Sequence, residues 1–426
     1  MTVAETLAAI LRGEQPDDDT TVASLQSAFI RYRRLHVQLP LGVALLVIAI
    51  VGALIGPAAV AQAQPFVTGA YGCGMPLRLN LGPFGVVHEF GHGQWSPAGS
   101  LQLGRAGASA ITLRNGDVLV EGGAAPGDFA RTSELFDPHT CTWRSSGTLH
   151  FGRTVDAAVL LLNGKVLAIG GYDGPVLSDA ELYDPATGTW SPTESMVQPR
   201  DLMTATLLQD GRVLVVGGWD NTVAASAEIY NPATGRWTSA GFMSIPRTGQ
   251  IAALLPSGKV LVAGGGPVNV SVTDRAELYD PVTNTWTETG SMTMPRSGAG
   301  AVTLPDGEVF VAGGVSTTGL TETAELYDPA TGTWSIAASM HYPRNLARGM
   351  LVLLPSGAVM AVGGDAIGTS EIYLPGSNTW TEPVSLGGPR CDGAAALLND
   401  GRVLMVAGDT CHGEDERPLV AAIYTP

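Results

Sequence analysis

From residue 95 onward, apolar stretches of four to eight residues alternate with short polar turns, and the alternation recurs with a fixed period. One unit can be read between Arg200 and Trp237. DLMTATLL (201–208) is a first apolar strand, Asp210-Gly211 a tight turn and RVLVVGG (212–218) a second strand; after a variable loop, AEIY (227–230) is a third, and Ala233-Thr234-Gly235 turns into Trp237 on a fourth. The first turn recurs as Asn115-Gly116, Asn163-Gly164, Ser257-Gly258, Asp306-Gly307, Ser356-Gly357 and Asp400-Gly401. Asn, Asp or Ser before Gly supplies the positive φ angles of a two-residue hairpin, so the sheets are expected to be antiparallel. Tryptophans at 95, 143, 190, 237, 286, 334 and 380 keep the same phase, and only Trp219 falls outside it. A glycine pair follows the period too, at 122–123, 170–171, 217–218, 264–265, 313–314 and 363–364, then as Ala407-Gly408.

A four-stranded sheet of about 47 residues cannot bury both faces alone, but copies packed face to face around an axis can. At this point the chain resembles the kelch-repeat family. The residues that carry the resemblance are the glycine pair, the aromatic in Ser133-Glu134-Leu135-Phe136-Asp137-Pro138 or Ala180-Glu181-Leu182-Tyr183-Asp184-Pro185, and the tryptophan that follows. The expected fold is therefore all-β: a seven-bladed kelch β-propeller of four-stranded antiparallel blades over residues 91–426. The last unit starts at Arg390 and stops at Tyr424-Thr425-Pro426 without a tryptophan strand, whereas Trp95 has no unit ahead of it. The strand around Trp95 is expected to complete that blade and close the ring.

Ahead of the repeats, Leu41 to Ala61 is a run of 21 residues without a charge. At about 1.5 Å per residue it is long enough to cross a bilayer core. Arg31, Arg33 and Arg34 precede it and the next basic residue is Arg78, an asymmetry that places the N-terminus in the cytoplasm and the rest outside. Residues 1–40 are then a cytoplasmic segment, with two short helices around a polar loop expected within 1–35. Residues 41–61 form a single transmembrane helix or signal anchor, and 62–90 a linker. Ala59-Val60-Ala61 and Ala61-Gln62-Ala63 also fit a cleavage site, which would make the propeller secreted. All four cysteines lie beyond the apolar run, where disulfides are permitted. Four cysteines allow three connectivities. Cys391 and Cys411 fall nearly opposite one another around Asp400-Gly401, and Cys73 with Cys141 would tie the stalk to the ring.

Charge narrows the partners. With 23 basic and 39 acidic residues the chain carries −16, which argues against nucleic acid because neutralising phosphates needs clustered Lys and Arg. An extracellular protein, peptide or glycan is the expected partner, with membrane contact through Leu41 to Ala61. Binding specificity should lie in loops that differ between units: Tyr172-Asp173, Trp219-Asp220-Asn221, Gly266-Pro267-Val268-Asn269, Asp365 and Asp409 to Glu416. Trp219 is the leading candidate, an aromatic that could stack on a sugar or peptide.

An arginine opens the innermost strand of every unit: Arg105, Arg153, Arg200, Arg247, Arg296, Arg344 and Arg390. Two readings stand. Seven guanidinium groups near one mouth could bind a carboxylate or acidic peptide bidentately, and the kelch resemblance implies such a use, since some members bind acidic motifs with arginines here. A residue present in every unit is better suited to serving the repeat itself, by pairing with the third-strand glutamates Glu134, Glu181, Glu228, Glu277, Glu325 and Glu371.

Catalytic motifs are few. His88-Glu89-Phe90-Gly91-His92 matches the zinc-protease pattern H-E-x-x-H, which requires a helix. Glycines at 82, 91 and 93 and Pro83 surround it, and alignment on the tryptophans makes it a degenerate turn before the closing strand, so it is read as a chance match. Copper radical oxidases such as galactose oxidase resemble seven-bladed kelch propellers, and that resemblance implies two Tyr and two His around copper, one Tyr crosslinked to Cys. Here no Tyr is followed by His; only His150, His341 and His412 fall on mouth-face loops, in different units. The expectation is a binding or scaffolding module with no catalytic constellation and no cofactor, the alternative being a secreted carbohydrate-active enzyme or copper radical oxidase.

Overall fold

A computed structural model of the chain describes the backbone of residues 77–80 and 86–90, and in full residues 93–154, 157–220, 222–266, 272–347, 349–411 and 419–426. The chain divides into two compact units, Met1–Val67 with Leu79–Val87, and Thr68–Arg78 with His88–Pro426. The repeats belong to the second. Leu41 to Ala61 lies outside the described residues, and among those residues no helix is long and apolar enough to cross a membrane.

The repeats form an all-β, seven-bladed propeller of four-stranded antiparallel blades. In blade 3 the strands are Thr204–Leu207, Val213–Val216, Ser226–Asn231 and Arg236–Phe242, ordered from the axis outward. The register pairs Thr204 with Val216, Val213 with Tyr230 and Tyr230 with Trp237. Its hairpin turn places Gly211 at φ +86°, the left-handed conformation anticipated for the Asp-Gly pair. Second strands such as Val118–Glu121, Val166–Ile169 and Val260–Ala263 are buried along their whole length, because neighbouring blades cover both faces. The core is accordingly a set of clusters along the seams between blades.

The repeat residues are the fastenings of these seams. The backbone N–H of the second glycine in each pair donates to the carbonyl of the next blade's arginine, from Gly123 to Arg153 (2.7 Å) round to Gly364 to Arg390 (2.9 Å), and Gly408 donates to Arg105 (2.9 Å). A Cβ on Gly217 would lie 2.5 Å from the Arg247 carbonyl, so this approach excludes any side chain. Each phase-keeping tryptophan packs at a tilt on the aromatic of its own third strand, with ring centroids 5.1 Å apart for Tyr230 and Trp237. Its indole N–H reaches the preceding blade: Trp286 donates to the Ala240 carbonyl (2.8 Å) and Trp334 to that of Gly290 (2.8 Å).

Closure follows the expected route. Gln94–Ser100 pairs with Val420–Thr425, setting Trp95 opposite Tyr424, and forms the outer strand of blade 7. Trp95 then donates to Ser370 Oγ of blade 6 at 2.7 Å. Cys391 and Cys411 are disulfide-bonded within blade 7, with Cα atoms 5.1 Å apart. Cys141 is disulfide-bonded as well, while Cys73, the partner expected for it, lies outside the described residues. The H-E-x-x-H segment does not lie on a helix: Val86–Phe90 is a strand, paired with Leu77–Asn80 in the stretch expected to be a plain linker. Residues four apart come close enough to share a metal only across one turn of a helix, and the extended strand that carries His88 supplies no such turn. His92 lies outside the described residues.

Candidate functional site: the mouth of the propeller

Within a blade the second-to-third connection and the connection to the next blade meet at one end of the central channel. The seven arginines start their inner strands at this end. Arg200 shows what they do. Its Nη1 donates to the carbonyls of Gly217 (2.6 Å) and Ser226 (3.0 Å), and Nη2 reaches Glu228 Oε1 at 3.1 Å. Glu228 also accepts the backbone N–H groups of Val197 (2.9 Å) and Gln198 (3.3 Å) in the loop ahead of Arg200. Equivalent ion pairs join Arg105 to Glu134, Arg153 to Glu181, Arg247 to Glu277, Arg296 to Glu325 and Arg344 to Glu371 at 2.7 to 2.8 Å. These six arginines are fully buried. Burial lowers the pKa of Arg105, Arg200 and Arg247 from the usual value, and the paired glutamates oppose it. Six guanidinium groups are thus sealed inside blades, serving the repeat rather than lining the mouth. Among the described residues Arg390 alone has no glutamate, because Ala422 stands at the register position that the glutamate holds in the other blades.

The mouth itself is aromatic and acidic. Tyr172 and Trp219 hold equivalent positions in blades 2 and 3, each bridged to the residue after its blade's arginine, Thr154 and Asp201. Trp219 is fixed by reciprocal bonds with Asp201, its N–H donating at 2.7 Å and its carbonyl accepting at 3.0 Å, and it opens a small hairpin, Trp219–Asp220 with Thr222–Val223. Tyr172 meets Phe129 edge to face at 5.4 Å. Phe151 and Leu202 are 42% and 39% exposed beside them, and Leu202 is held at φ +54°, unusual for a branched residue. Asp173, Asp201 and Asp220 are half-buried in this group. Sequence reasoning named Trp219, Asp220, Tyr172 and Asp173; it missed Phe129, Phe151 and Leu202, although Phe151 could have been found as the aromatic two residues before a repeat arginine. Asn221, Pro267 to Asn269 and His412 to Glu416 lie outside the described residues, and Asp365 is buried beneath Gly368 and Thr369, whose N–H groups it accepts.

The described histidines do not converge. His150 and His341 occupy matching positions in blades 2 and 6, each with Nδ1 2.8 Å from its own blade's glutamate, Glu181 or Glu371. His139 is exposed on the opposite face beside Asp137. The third-strand tyrosines lie buried under tryptophans. Among the described residues the donors therefore do not fit a copper centre of two Tyr and two His. The one grouping of metal-type donors among them, Cys391, Asp409 and Cys411, has two of its members in a disulfide. A concavity of about 450 Å³ lies on the far face along Pro305, Gly357, Leu374 and Pro375. It is an open groove where Leu374 stands in place of the turn aspartates, distant from the aromatic mouth, and no convergent set of ionisable groups lines it.

A family model described as the Kelch motif matches residues 153–197, 203–243 and 295–341, which are blades 2, 3 and 5. Kelch motifs are thus present in a seven-bladed β-propeller. Among solved structures the propeller is similar to a fungal alcohol oxidase of the AA5 family in complex with copper, at 19% identity and a TM-score of 0.64, covering 78% of this chain and 76% of that one. It is also similar to the structure of YjhT, at 14% identity and a TM-score of 0.53, covering 66% of this chain and 98% of that one. At such identities these likenesses speak to fold alone. No curated protein sequence matches the chain.

Proposed function

We propose that this kelch propeller is an exported, membrane-anchored binding module that takes a glycan or protein ligand at the mouth of blades 2 and 3. The observation that carries the reading is the pairing of Trp219 and Tyr172 at equivalent positions of adjacent blades, fixed by backbone bonds and flanked by Asp173, Asp201 and Asp220. Rigid aromatics give contact area at little entropic cost, and carboxylates beside them accept hydrogen bonds from sugar hydroxyls or peptide donors. Export is supported by the charge-free run from Leu41 to Ala61 and by the disulfide between Cys391 and Cys411. The AA5 oxidase likeness gives an oxidase alternative, which the scattered histidines do not favour.

A glycan and peptide array probed with the full chain in detergent tests this. Trp219→Ala should weaken the ligands found on wild type by roughly 30-fold, the size of an aromatic anchor. Unchanged binding by Trp219→Ala moves the site elsewhere. Stoichiometric copper in the purified chain, with oxidation of an alcohol, would replace the binding reading by the oxidase one.

A further inference from the structure

Blade 7 breaks the pattern of the other six, and the repeat itself supplies the comparison. In blades 1 to 6 a glutamate carboxylate rests in a cradle made by the arginine Nη2 and by the backbone N–H three residues ahead of that arginine, joined in blades 1, 2, 3 and 5 by the N–H two residues ahead. Examples are Gln102 and Leu103 around Glu134, and Thr293 and Met294 around Glu325. In blade 7 the arginine is kept and the carboxylate is gone. Ala422 pairs with Met405 as Glu228 pairs with Val215, so the alanine occupies the glutamate's place in the register.

Among the described residues Arg390 is left as a buried cation without a counter-ion. It is 8% exposed; its Nη2 donates to the Val420 carbonyl at 2.8 Å, and its Nη1 is buried with no acceptor. Burial lowers its pKa with no carboxylate to oppose it, unlike Arg105, Arg200 and Arg247. The positions that present the cradle's N–H groups elsewhere are Gly387 and Gly388 here; the Gly387 N–H donates to the exposed Ser385 hydroxyl at 3.1 Å, a bond that an entering carboxylate would replace. Gly387 and Val420 are exposed at the rim.

We propose that blade 7 holds a carboxylate-binding site, in which Arg390 and the Gly387-Gly388 backbone receive a ligand's carboxylate at the place a glutamate fills in the other blades. A charge left unpaired in a buried position is costly, and a carboxylate met by a guanidinium fork restores the pairing that the six other arginines have. The site is separate from the aromatic mouth of blades 2 and 3 and does not rest on that reading.

Propionate reproduces the missing glutamate side chain and is the probe. Thermal melting of the full chain is followed in sodium propionate against sodium chloride at equal ionic strength. Wild type should melt roughly 2 °C higher in propionate at ten times its dissociation constant. Ala422→Glu fills the cradle from within; it should melt higher than wild type in chloride and lose the propionate response. Arg390→Gln removes a cation that has no described counter-ion and should also lose the response, which keeps the test decisive if Ala422→Glu fails to fold. A wild type indifferent to propionate, or a response that persists in Arg390→Gln, overturns the proposal.

Discussion

At the scale of single residues, departures from the repeat matter most. The residue that ends the second strand before the glycine pair is Ile169, Val216, Ala263, Ala312 and Val362 in blades 2 to 6, but Glu121 in blade 1. Glu121 is completely buried and neither carboxylate oxygen has a hydrogen-bond partner. Burial pushes its pKa up to about 7 from the ordinary 4.5, against the pull of Arg153 and Arg105 and with Glu181 adding to the rise. Those arginines are already claimed by Glu181 and Glu134, so Glu121 is held best as the neutral acid. Below pH 4.5 both folded and unfolded chains carry it protonated, and its ionisation takes nothing from stability. Between 4.5 and about 7 only the unfolded chain ionises, so stability falls as pH rises, by about 3 kcal/mol once pH passes 7. Glu121→Gln should remove this loss, and denaturant melts at pH 5 and pH 8 will show it as a variant whose advantage exists only at the higher pH. Equal gains at both values would mean that the carboxyl titrates normally. Neither Glu121 nor Ala422 was singled out in the sequence, because one deviant residue in an apolar strand resembles repeat noise until the structure shows what surrounds it. The arginine and glutamate pairing was legible, since two oppositely charged residues kept the same phase.

At the scale of elements, the segment with the greatest leverage is the strand Gln94–Ser100. Without it Val420–Thr425 would present an unpaired edge, Trp95 would no longer reach Ser370, and Trp143 would lose the Ala98 carbonyl to which it donates at 2.9 Å. Both seams beside blade 7 would open together. Deleting residues 90–100 should therefore lower the melting temperature of the whole propeller and expose an aggregation-prone edge. A deletion that melts like the parent would show that the ring holds without this strand. Blade strands were readable because short apolar runs and fixed glycine turns repeat seven times. The short mouth hairpins, such as Ala124–Ala125 with Asp128–Phe129 and Val315–Ser316 with Gly319–Leu320, were not, since two-residue strands carry no periodic signal. The same holds for Val86–Phe90, whose chance metal motif hid a strand.

At the scale of the whole molecule, two disulfide-bonded cysteines in blade 7 and a third bonded cysteine, Cys141, in blade 1 bear on where the propeller resides. Closing the loop between Cys391 and Cys411 contributes about 3 kcal/mol in the chain-entropy account, a gain lost where thiols are kept reduced. The positive flank Arg31, Arg33 and Arg34 and the charge-free stretch to Ala61 give the matching expectation for topology, with the propeller outside and the N-terminus within. Protease added to intact cells carrying an N-terminally tagged chain should destroy the propeller and leave the tag protected in the membrane fraction. Recovery of the propeller in the medium, without its first 61 or 63 residues, would identify a cleaved signal instead. A propeller that survives protease in intact cells, with free thiols at Cys391 and Cys411, would place it in a reducing interior. The mouth of blades 2 and 3 and the cradle of Arg390 would then face cytoplasmic ligands, and the search for partners would have to turn inward.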